Sequence, residues 1–402
     1  MMSVFMLTGC VEEFEAELPN RDMVLVVNGT IKSGEENSFK LSWSTPLYSD
    51  KVVTLYDQML NPYIVTTVDY VHGATVKVCG SDGSEYYCQE EVSQENGKEK
   101  VEYLCTLPEL NKDVEYYLDI RLFNDEYKSI PQKPIRTPDI EEVTYVQADS
   151  LSDIDIVVST AAPEDPSQIT YITWDFDDTW EVRPRRYTDV YFDTLQMKPI
   201  IKYVYPIYGW KFGKNKDLII GSTANYTDGR FSKYKVFGIP RTDERIFWNY
   251  CCNLTQRAIS KEEYEYNQAV YQAGWEMGGL FTPQPSALPT NIYSTKSNKT
   301  VIGFVGCSMN TVTVRGYVDG QKISRVLKKP NELILEYHPS WQQMYNKIKN
   351  QHKLIAVYIE SFREVWWADD VDLDIRLEGA IIEKPSYMPP IGSDYDDYYY
   401  KK

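Results

Sequence analysis

The feature that most constrains the fold of this chain is a succession of short, strand-like runs separated by turn residues. In the first third of the sequence these runs are rich in valine, leucine and aromatic residues, and they lie at 24–27, 39–43, 75–79 and 114–122. Short apolar runs at this spacing are typical of an all-β sandwich or barrel. The chain is therefore expected to be mainly β.

The rest of the chain continues this pattern and adds helices. Two short helices are predicted near 260–275 and 340–350, one behind the capping box Ser260-Lys261-Glu262-Glu263 and one behind Pro339-Ser340. Residues 371–378 alternate between apolar and charged side chains, as a half-buried strand does. Further strands are expected at 154–158, 168–176, 200–205, 300–305, 311–318 and 354–359.

Residues 110–122 indicate the kind of β-fold at the N-terminus. Leu110 is followed six residues later by Tyr116, and Tyr116, Leu118, Ile120 and Leu122 form the apolar side of an alternating run. This segment resembles the tyrosine corner of fibronectin type III domains, in which a tyrosine hydroxyl ties an inter-strand connection to the backbone. The resemblance implies an immunoglobulin/fibronectin III-like sandwich.

Prolines 131, 134 and 138 mark the expected end of this first domain. A larger β-sandwich or barrel-like domain is expected to follow it. The predicted division is a signal-peptide remnant at 1–9, a lipidated tether at 10–22, the first sandwich at 23–138, the larger domain at 139–384 and a flexible acidic, tyrosine-rich tail at 385–402.

A lipid-attachment signal is predicted at the N-terminus. Residues 7–10 read Leu-Thr-Gly-Cys after an apolar stretch, which is the pattern of a bacterial lipobox, and Cys10 is the expected site of acylation. More than one acyl chain is needed for stable anchoring. The alternative is a chance cysteine in an irregular N-terminus. Nine residues are too few for a signal peptide of about 15–30, so the true start of the protein is expected further upstream.

The residues after Cys10 and the overall charge bear on location. Glu12, Glu13 and Glu15 form an acidic cluster that resembles the surface-export signal of Bacteroidota lipoproteins; the alternative is a solvated acidic linker. The net charge of −17 argues against binding to nucleic acid or to anionic lipid headgroups. The chain is expected to be anchored in the outer membrane and exposed at the cell surface.

A hairpin is predicted between the strand-like runs 85–92 and 100–107. Asn96-Gly97 lies between them and is the strongest two-residue hairpin signal. With these two residues as the loop, Cys88 faces Cys105 across a pair whose Cα atoms approach to about 4.5 Å. That separation lies within the range of disulfides. A Cys88–Cys105 bridge is therefore predicted.

The remaining cysteines are not assigned by the sequence. The hairpin register also opposes Tyr86 to Leu107, but no such argument pairs Cys79, Cys251, Cys252 and Cys307. A metal site on the adjacent Cys251 and Cys252 is disfavoured, because no Cys-x-x-Cys pattern or nearby histidine completes it.

One segment carries a candidate ligand site. The run Trp174-Asp175-Phe176-Asp177-Asp178-Thr179-Trp180-Glu181 places tryptophans beside carboxylates at the end of a strand. Trp174, Asp177, Asp178 and Trp180 are the candidate ligand-binding residues, either by stacking a sugar ring or by holding Ca²⁺ through carboxylate oxygens. The alternative is a core strand followed by a charged turn. No other cofactor is expected.

Catalytic motifs are not found in the sequence. There is no Gly-x-Gly-x-x-Gly after a strand, no P-loop, no His-Glu-x-x-His and no Gly-x-Ser-x-Gly. His72, His338 and His352 lie in contexts that favour solvated or structural histidines. A pair of Asp or Glu residues acting as in glycoside hydrolysis stays open as an alternative.

Several segments together resemble the Bacteroidota outer-membrane lipoproteins grouped as domain of unknown function 4249. One departure is the segment 226–230, which replaces the usual central arginine-cysteine segment. The resemblance implies a surface lipoprotein encoded beside TonB-dependent receptors, with no established chemistry. The resembling pieces are the lipobox at Cys10 and residues 24–34, 116–138, 171–181, 278–285, 291–292 and 301–305.

The preferred hypothesis is a non-catalytic surface lipoprotein. It would bind an extracellular glycan or peptide, or dock onto a TonB-dependent nutrient transporter of the outer membrane. A fimbrial or adhesin-like structural subunit and, with less support, a carboxylate-based glycoside or peptide hydrolase are the alternatives.

Overall fold

The structure of this protein is a computed structural model, and it describes most of the chain after the N-terminal segment. The described residues are 24–44, 52–56, 62–66, 69–95, 98–163, 165–276, 288–350, 352–357 and 364–389. The predictions for Cys10, for the tether, for the loop Asn96-Gly97, for residues 278–285 and for the tail beyond 389 lie outside the described residues.

Strands dominate the structure, as predicted for an all-β chain. The strands are β1 Leu25–Lys32, β2 Glu36–Trp43, β3 Val52–Tyr56, β4 Pro62–Thr66, β5 Asp69–Tyr70, β6 Thr75–Gly80, β7 Glu85–Tyr87, β8 Gln89–Glu95, β9 Lys98–Thr106, β10 Tyr116–Leu122, β11 Asp125–Ser129, β12 Ile140–Val146, β13 Ile154–Thr160, β14 Tyr171–Val182, β15 Val190–Asp193, β16 Lys198–Ile201, β17 Gly209–Lys214, β18 Ile219–Ser222, β19 Tyr234–Ile239, β20 Asn249–Ile259, β21 Ile292–Ser294, β22 Val301–Ser308, β23 Val312–Asp319, β24 Ile334–Tyr337, β25 His352–Val357 and β26 Glu364–Asp369.

Helices are few and short by comparison. Both predicted helices are present, and α2 has a complete capping box between Ser340 and Gln343. Among the described residues no helix has both the length and the apolar character needed to cross a membrane. The α-helices are α1 Lys261–Glu276, α2 Trp341–Lys349 and α3 Asp370–Leu373.

The chain divides into two units, which we call the first unit and the second unit. The first unit comprises Met1–Pro134 and Gln272–Cys307, and the second comprises Ile135–Tyr271 and Ser308–Lys402. The division after Pro134 lies close to the predicted boundary. Residues 272–307 differ from the prediction, which placed them in the second domain.

The first unit is a β-sandwich. One sheet has the strand order β22-β1-β2-β9-β8, with β5 beside β2, and the other has the order β21-β11-β10-β6-β7. Strand alternation turns one row of side chains from each sheet inward. The shared core includes Leu25, Val27, Phe39, Leu41, Val76, Val78, Tyr103, Leu118, Ile120, Val301 and Val305.

Residues 272–307 return to the first sandwich and supply an edge strand to each of its sheets. Strand β21 pairs with β11, placing Ile292 opposite Ser129. Strand β22 lies beside β1, and their approach depends on Gly303, where a Cβ atom would lie 1.8 Å from the carbonyl oxygen of Val27. Gly303 also has a φ of +118°, which glycine adopts readily. The sequence carried no pairing signal for this return.

The predicted tyrosine corner is present in the first unit. The hydroxyl oxygen of Tyr116 accepts a hydrogen bond from the backbone N–H of Asn111 at 3.0 Å, and the Tyr116 ring is buried. Because the hydroxyl satisfies a backbone donor in the connection before β10, it fixes that connection to the strand. This contact supports the resemblance to a fibronectin type III sandwich.

The hairpin register is confirmed over β8 and β9, where Val92 faces Val101 and Glu95 faces Lys98. The prediction that the first strand continues back to Glu85 is wrong. The chain changes sheets at Cys88, and Tyr86 pairs with Val78 rather than with Leu107. The hydrophobic pattern of residues 85–92 does not show that this run is divided between two sheets.

Cys88 and Cys105 lie next to each other at this change of sheets. Their Sγ atoms are 2.8 Å apart, and the structure carries both as free thiols. The disulfide between them therefore stays a prediction.

The second unit contains another sandwich. A three-stranded sheet of order β12-β13-β19 and a five-stranded sheet of order β17-β14-β20-β23, with β18 beside β14, share one core. A smaller group of β24-β26-β25, β15, β16 and α2 has its own core around Phe192, Met344, Leu354, Val365 and Trp367. Trp366 and Trp367 point to opposite sides of β26, since Trp367 is buried and Trp366 is partly exposed.

Two predictions for the C-terminal region are wrong, one for residues 371–378 and one for residues 385–389. Residues 371–378 form α3 and the 3-10 helix Ile375–Glu378 instead of a strand. The carboxylate of Asp374 accepts from the N–H of Arg376, and that of Asp372 accepts from the N–H of Asn331, so both aspartates are buried in hydrogen bonds. The bond between Asp374 and Arg376 is local, and such local bonds to backbone compete with strand formation.

Residues 385–389 pack within the second unit, whereas the prediction assigned them to the flexible tail. The hydroxyls of Tyr387 and Thr179 lie 2.9 Å apart, and Met388 packs with Trp210 and Cys251.

We predict that Tyr116→Phe destabilises the first unit by about 1 kcal/mol, because the N–H of Asn111 loses its acceptor. Urea unfolding measures the change in free energy. Tyr293→Phe is the matched control, since Tyr293 lies in the same unit with an exposed side chain. Equal stability of the two variants would contradict a structural role for the tyrosine corner.

Candidate functional site

The structure places the sequence-predicted ligand residues along β14, mostly in the core. Trp174 is 2 % exposed, and its Nε1–H donates to Oε1 of Gln256 at 2.9 Å. Its ring stacks on Tyr234 with 5.2 Å between the centroids. Trp174 is thus not available to stack a ligand, although it supports a ring that is partly exposed.

Asp178 is buried and holds a charge pair. Its Oδ2 accepts from Nη1 of Arg245 at 3.1 Å, and Arg245 also binds Asp243. Burial raises the pKa of Asp178, while the Arg245 guanidinium opposes that rise. A buried carboxylate that is paired in this way holds neighbouring segments together and is not open to a ligand.

Asp177 and Trp180 complete the predicted set on β14. Asp177 is exposed, whereas Trp180 is buried and its Nε1 has no hydrogen-bond partner among the described residues. The four predicted residues therefore do not share one open surface. Among the described residues no group of three or more His, Cys, Asp or Glu side chains is arranged to hold a metal ion.

A different part of the second unit forms an open cavity of about 620 Å³. We call it the tyrosine cavity, because four of its lining residues are tyrosines. It is lined by Tyr171, Ser222, Ala224, Asn225, Tyr226, Tyr234 and Tyr264.

Four elements bring these residues together. Tyr171 opens β14 and pairs with Ser222 at the end of β18. Ser222 then caps the 3-10 turn Thr223–Asn225, its Oγ accepting from the N–H of Ala224 at 3.2 Å. Tyr234 begins β19, and Tyr264 lies in the first turns of α1, whose capping residue Ser260 accepts from the N–H of Glu263. The cavity thus lies where strand ends meet the start of a helix.

Buried aromatic rings support the tyrosines from behind. Tyr234 packs between Trp174 and Phe231, with centroid distances of 5.2 and 4.8 Å. Tyr226 meets Phe231 edge-on at 5.6 Å. Because Trp174 and Phe231 are almost fully buried, they hold the partly exposed rings in place.

The polar groups of the cavity are hydroxyls and one amide. The hydroxyl of Tyr234 donates to the carbonyl oxygen of Ile220 at 3.4 Å, and that of Tyr264 accepts from Nε2 of Gln268. Burial raises the pKa of the Tyr234 hydroxyl above its ordinary value. Among the lining residues that the structure describes there is no carboxylate, lysine, arginine or histidine. The arrangement can stack and hydrogen-bond a ligand.

Little in the sequence indicates this cavity. Tyr171 lies at the start of the run that suggested a ligand site, and Tyr226 opens the segment that departs from the resembling family. Tyr234 and Tyr264 stood out in no way among 33 tyrosines. Only the pairing of β14 with β18 and the placement of α1 bring the four rings together.

A second cavity, of about 490 Å³, lies in the first unit beside the change of sheets at Cys88. Its lining includes Glu36, Glu90, Glu91 and Cys105. Glu90 is committed to other bonds, since its Oε2 accepts from the N–H of Gly73 at 2.7 Å. These bonds lower the pKa of Glu90. It therefore lacks the raised pKa that a general acid needs.

His72 lies beside this second cavity, between two glutamates. Its Nδ1 is 2.9 Å from Oε1 of Glu90, and its Nε2 is 3.3 Å from Oε2 of Glu99. The hydrogen bond to Glu90 raises the pKa of His72 above its ordinary value. The contact is solvent-exposed, so its contribution to stability is small.

Comparison with known proteins adds one finding. The family model described as Domain of unknown function (DUF4249) matches residues 11–313, which is most of the chain. No curated protein matches the chain.

We predict that Glu90→Gln lowers the pKa of His72 towards its ordinary value of 6.5. Because folding raises this pKa, the stabilisation is fully present below pH 6.5 and is lost as the pH rises through the folded-state value. An NMR titration of the His72 imidazole measures the shift. Glu91→Gln, at the adjacent exposed position, should leave the titration unchanged. A His72 pKa that is the same in the wild type and in Glu90→Gln would contradict the assignment.

Proposed function

This chain belongs to the family described as Domain of unknown function (DUF4249), and we propose that it is a lipid-anchored protein of the outer-membrane surface. It captures a ligand in the tyrosine cavity and delivers it to a TonB-dependent transporter. The single observation that carries the capture step is the tyrosine cavity itself, in which buried rings support two of the four tyrosines, Tyr226 and Tyr234.

The anchor is supported by the N-terminal sequence. Residues 7–10 read as a lipobox, and acylation of Cys10 supplies more than one chain, which gives stable attachment. The acidic residues that follow Cys10 support export to the cell surface. The family match begins at residue 11, directly after the proposed attachment site.

Anchoring explains how an open cavity is sufficient for the task. Tethering converts capture and delivery into steps at a high effective concentration, so the transporter meets the ligand without a second diffusional search. A shallow site that binds weakly and releases quickly suits such delivery better than a deep, slowly released one.

The two alternatives are less well supported. A fimbrial subunit completes its sandwich with a strand from a neighbour, whereas here β21 and β22 of the same chain occupy one edge of each sheet. A carboxylate-based hydrolase needs two carboxyl groups facing the ligand, one of them with a raised pKa. The described lining of the tyrosine cavity holds no carboxylate, and in the second cavity the pKa of Glu90 is lowered. Both observations favour capture.

We predict that Cys10 carries the lipid and that the protein is exposed on intact cells. Metabolic labelling with an alkyne fatty acid should mark the wild type and not Cys10→Ala. Cys79→Ala, which changes a cysteine outside the lipobox that takes part in no predicted bridge, should keep the label. Protease added to intact cells should degrade the wild-type protein. A labelled Cys10→Ala variant, or full protection from protease in intact cells, would exclude the proposed anchoring.

We also predict that the protein associates with a TonB-dependent transporter. Affinity purification from native envelope dissolved in mild detergent should recover a β-barrel transporter with the wild-type chain. The Cys10→Ala variant should recover much less, because tethering raises the effective concentration. Repeated recovery of the wild-type protein with no transporter would exclude delivery as its role.

A further inference from the structure

We propose that the tyrosine cavity binds a neutral saccharide. This inference rests on the proposed capture function and gives it a ligand class. Charge, ring arrangement and the available polar groups each support it.

The lining residues that the structure describes offer no charge to a ligand. They are four tyrosines, a serine, an alanine and an asparagine. A uronate, a sulfated sugar or a charged peptide side chain would lose hydration there without gaining a counterion. The net charge of −17 on the whole chain further disfavours anionic ligands. A neutral ligand is therefore favoured.

Two of the lining rings contact each other and form one apolar surface. Tyr171 and Tyr264 lie 4.9 Å apart between centroids, with their planes inclined by 42°. Proline-rich peptides dock into aromatic-lined grooves, but these two rings touch and leave no slot between them. The apolar C–H face of a sugar ring lies flat on such a surface, and tyrosine combines that surface with a polar tip.

Polar groups surround the rings and match the edge of a sugar. Among the described residues, the hydroxyls of Tyr171 and Tyr226 make no hydrogen bond to the protein, and each is both a donor and an acceptor. The amide of Asn225 is exposed at the rim. Sugar hydroxyls need this combination, because each also donates and accepts. The volume of about 620 Å³ lies within the range of small-ligand sites.

The cavity is also arranged before any ligand arrives. The stack of Tyr234 on Trp174 and the edge contact of Tyr226 with Phe231 fix two of the four rings. Binding therefore loses little side-chain freedom, which is a large part of the cost of binding a small neutral ligand.

The test uses the full-length protein in detergent. Neutral oligosaccharides of glucose, mannose, xylose and galactose are compared with uronate-containing and sulfated oligosaccharides and with a proline-rich peptide, by isothermal titration calorimetry. We expect a neutral oligosaccharide to bind, with an affinity that does not change between about 50 and 500 mM NaCl, because no ion pair forms.

Variants connect this binding to the cavity. Tyr171→Ala and Tyr264→Ala should each weaken it about tenfold, since truncating a well-placed aromatic side chain costs more than 1 kcal/mol. Tyr264→Phe keeps the ring and should retain most of the affinity, and it covers the case in which an alanine variant fails to fold. Tyr337→Ala is the control, because Tyr337 is an exposed tyrosine of the second unit that does not line the cavity.

Several results would overturn the inference. They are binding confined to acidic saccharides or to the proline-rich peptide, no binding of any neutral saccharide, and neutral-saccharide binding that both alanine variants retain in full. These results are distinct from failure of the proposed function. Loss of anchoring in cells would exclude delivery and leave saccharide binding measurable, whereas peptide binding would exclude the saccharide and leave capture intact.

Discussion

The packing of Trp174 against Tyr234 is the contact on which the candidate site depends. It joins the two sheets of the second unit, since Trp174 belongs to β14 and Tyr234 begins β19. The indole is held on its other side by the hydrogen bond from Nε1–H to Gln256 on β20. Because packing and this hydrogen bond hold the indole in place, the Tyr234 ring that stacks on it is held as well. One ring of the cavity wall is therefore supported directly by the core.

Strand β14 contributes apolar side chains to the core in its first half and buried ion pairs in its second half. Ile172, Trp174 and Phe176 point into the core, and Phe176 stacks on Phe237 with 4.0 Å between centroids. Beyond Phe176 the alternation stops, and every residue from Asp178 to Val182 is buried. Buried carboxylates in that stretch require partners, which Arg245 provides for Asp178 and Arg183 for Glu181. The acidic end of β14 is therefore part of the scaffold.

The sequence predicts those parts of the fold that depend on neighbouring residues. The register of the β8–β9 hairpin follows from a two-residue loop, and the hydroxyl of Tyr116 bonds to a backbone group five residues away. Features that depend on distant residues are not predictable in this way. The return of β21 and β22 to the first sandwich rests on the close approach at Gly303, which only pairing with β1 reveals. The aspartates in 371–378 mimic strand alternation, although Asp374 caps a 3-10 turn and Asp372 accepts from the N–H of Asn331.

The same distinction explains why the predicted ligand residues lie on a strand that borders the tyrosine cavity but do not line it. A tryptophan in a sequence often indicates ligand stacking. Its large apolar ring also contributes much of the area that a core buries. In this chain Trp174 is buried in the core, and the partly exposed rings are tyrosines, which are smaller and carry hydroxyl groups. Tyrosine tolerates that position because its ring packs on the aromatic residues behind it while its oxygen faces water. An aromatic site at the end of a sandwich therefore follows from which rings the core can bury completely. At the tyrosine cavity the buried rings are Trp174 and Phe231.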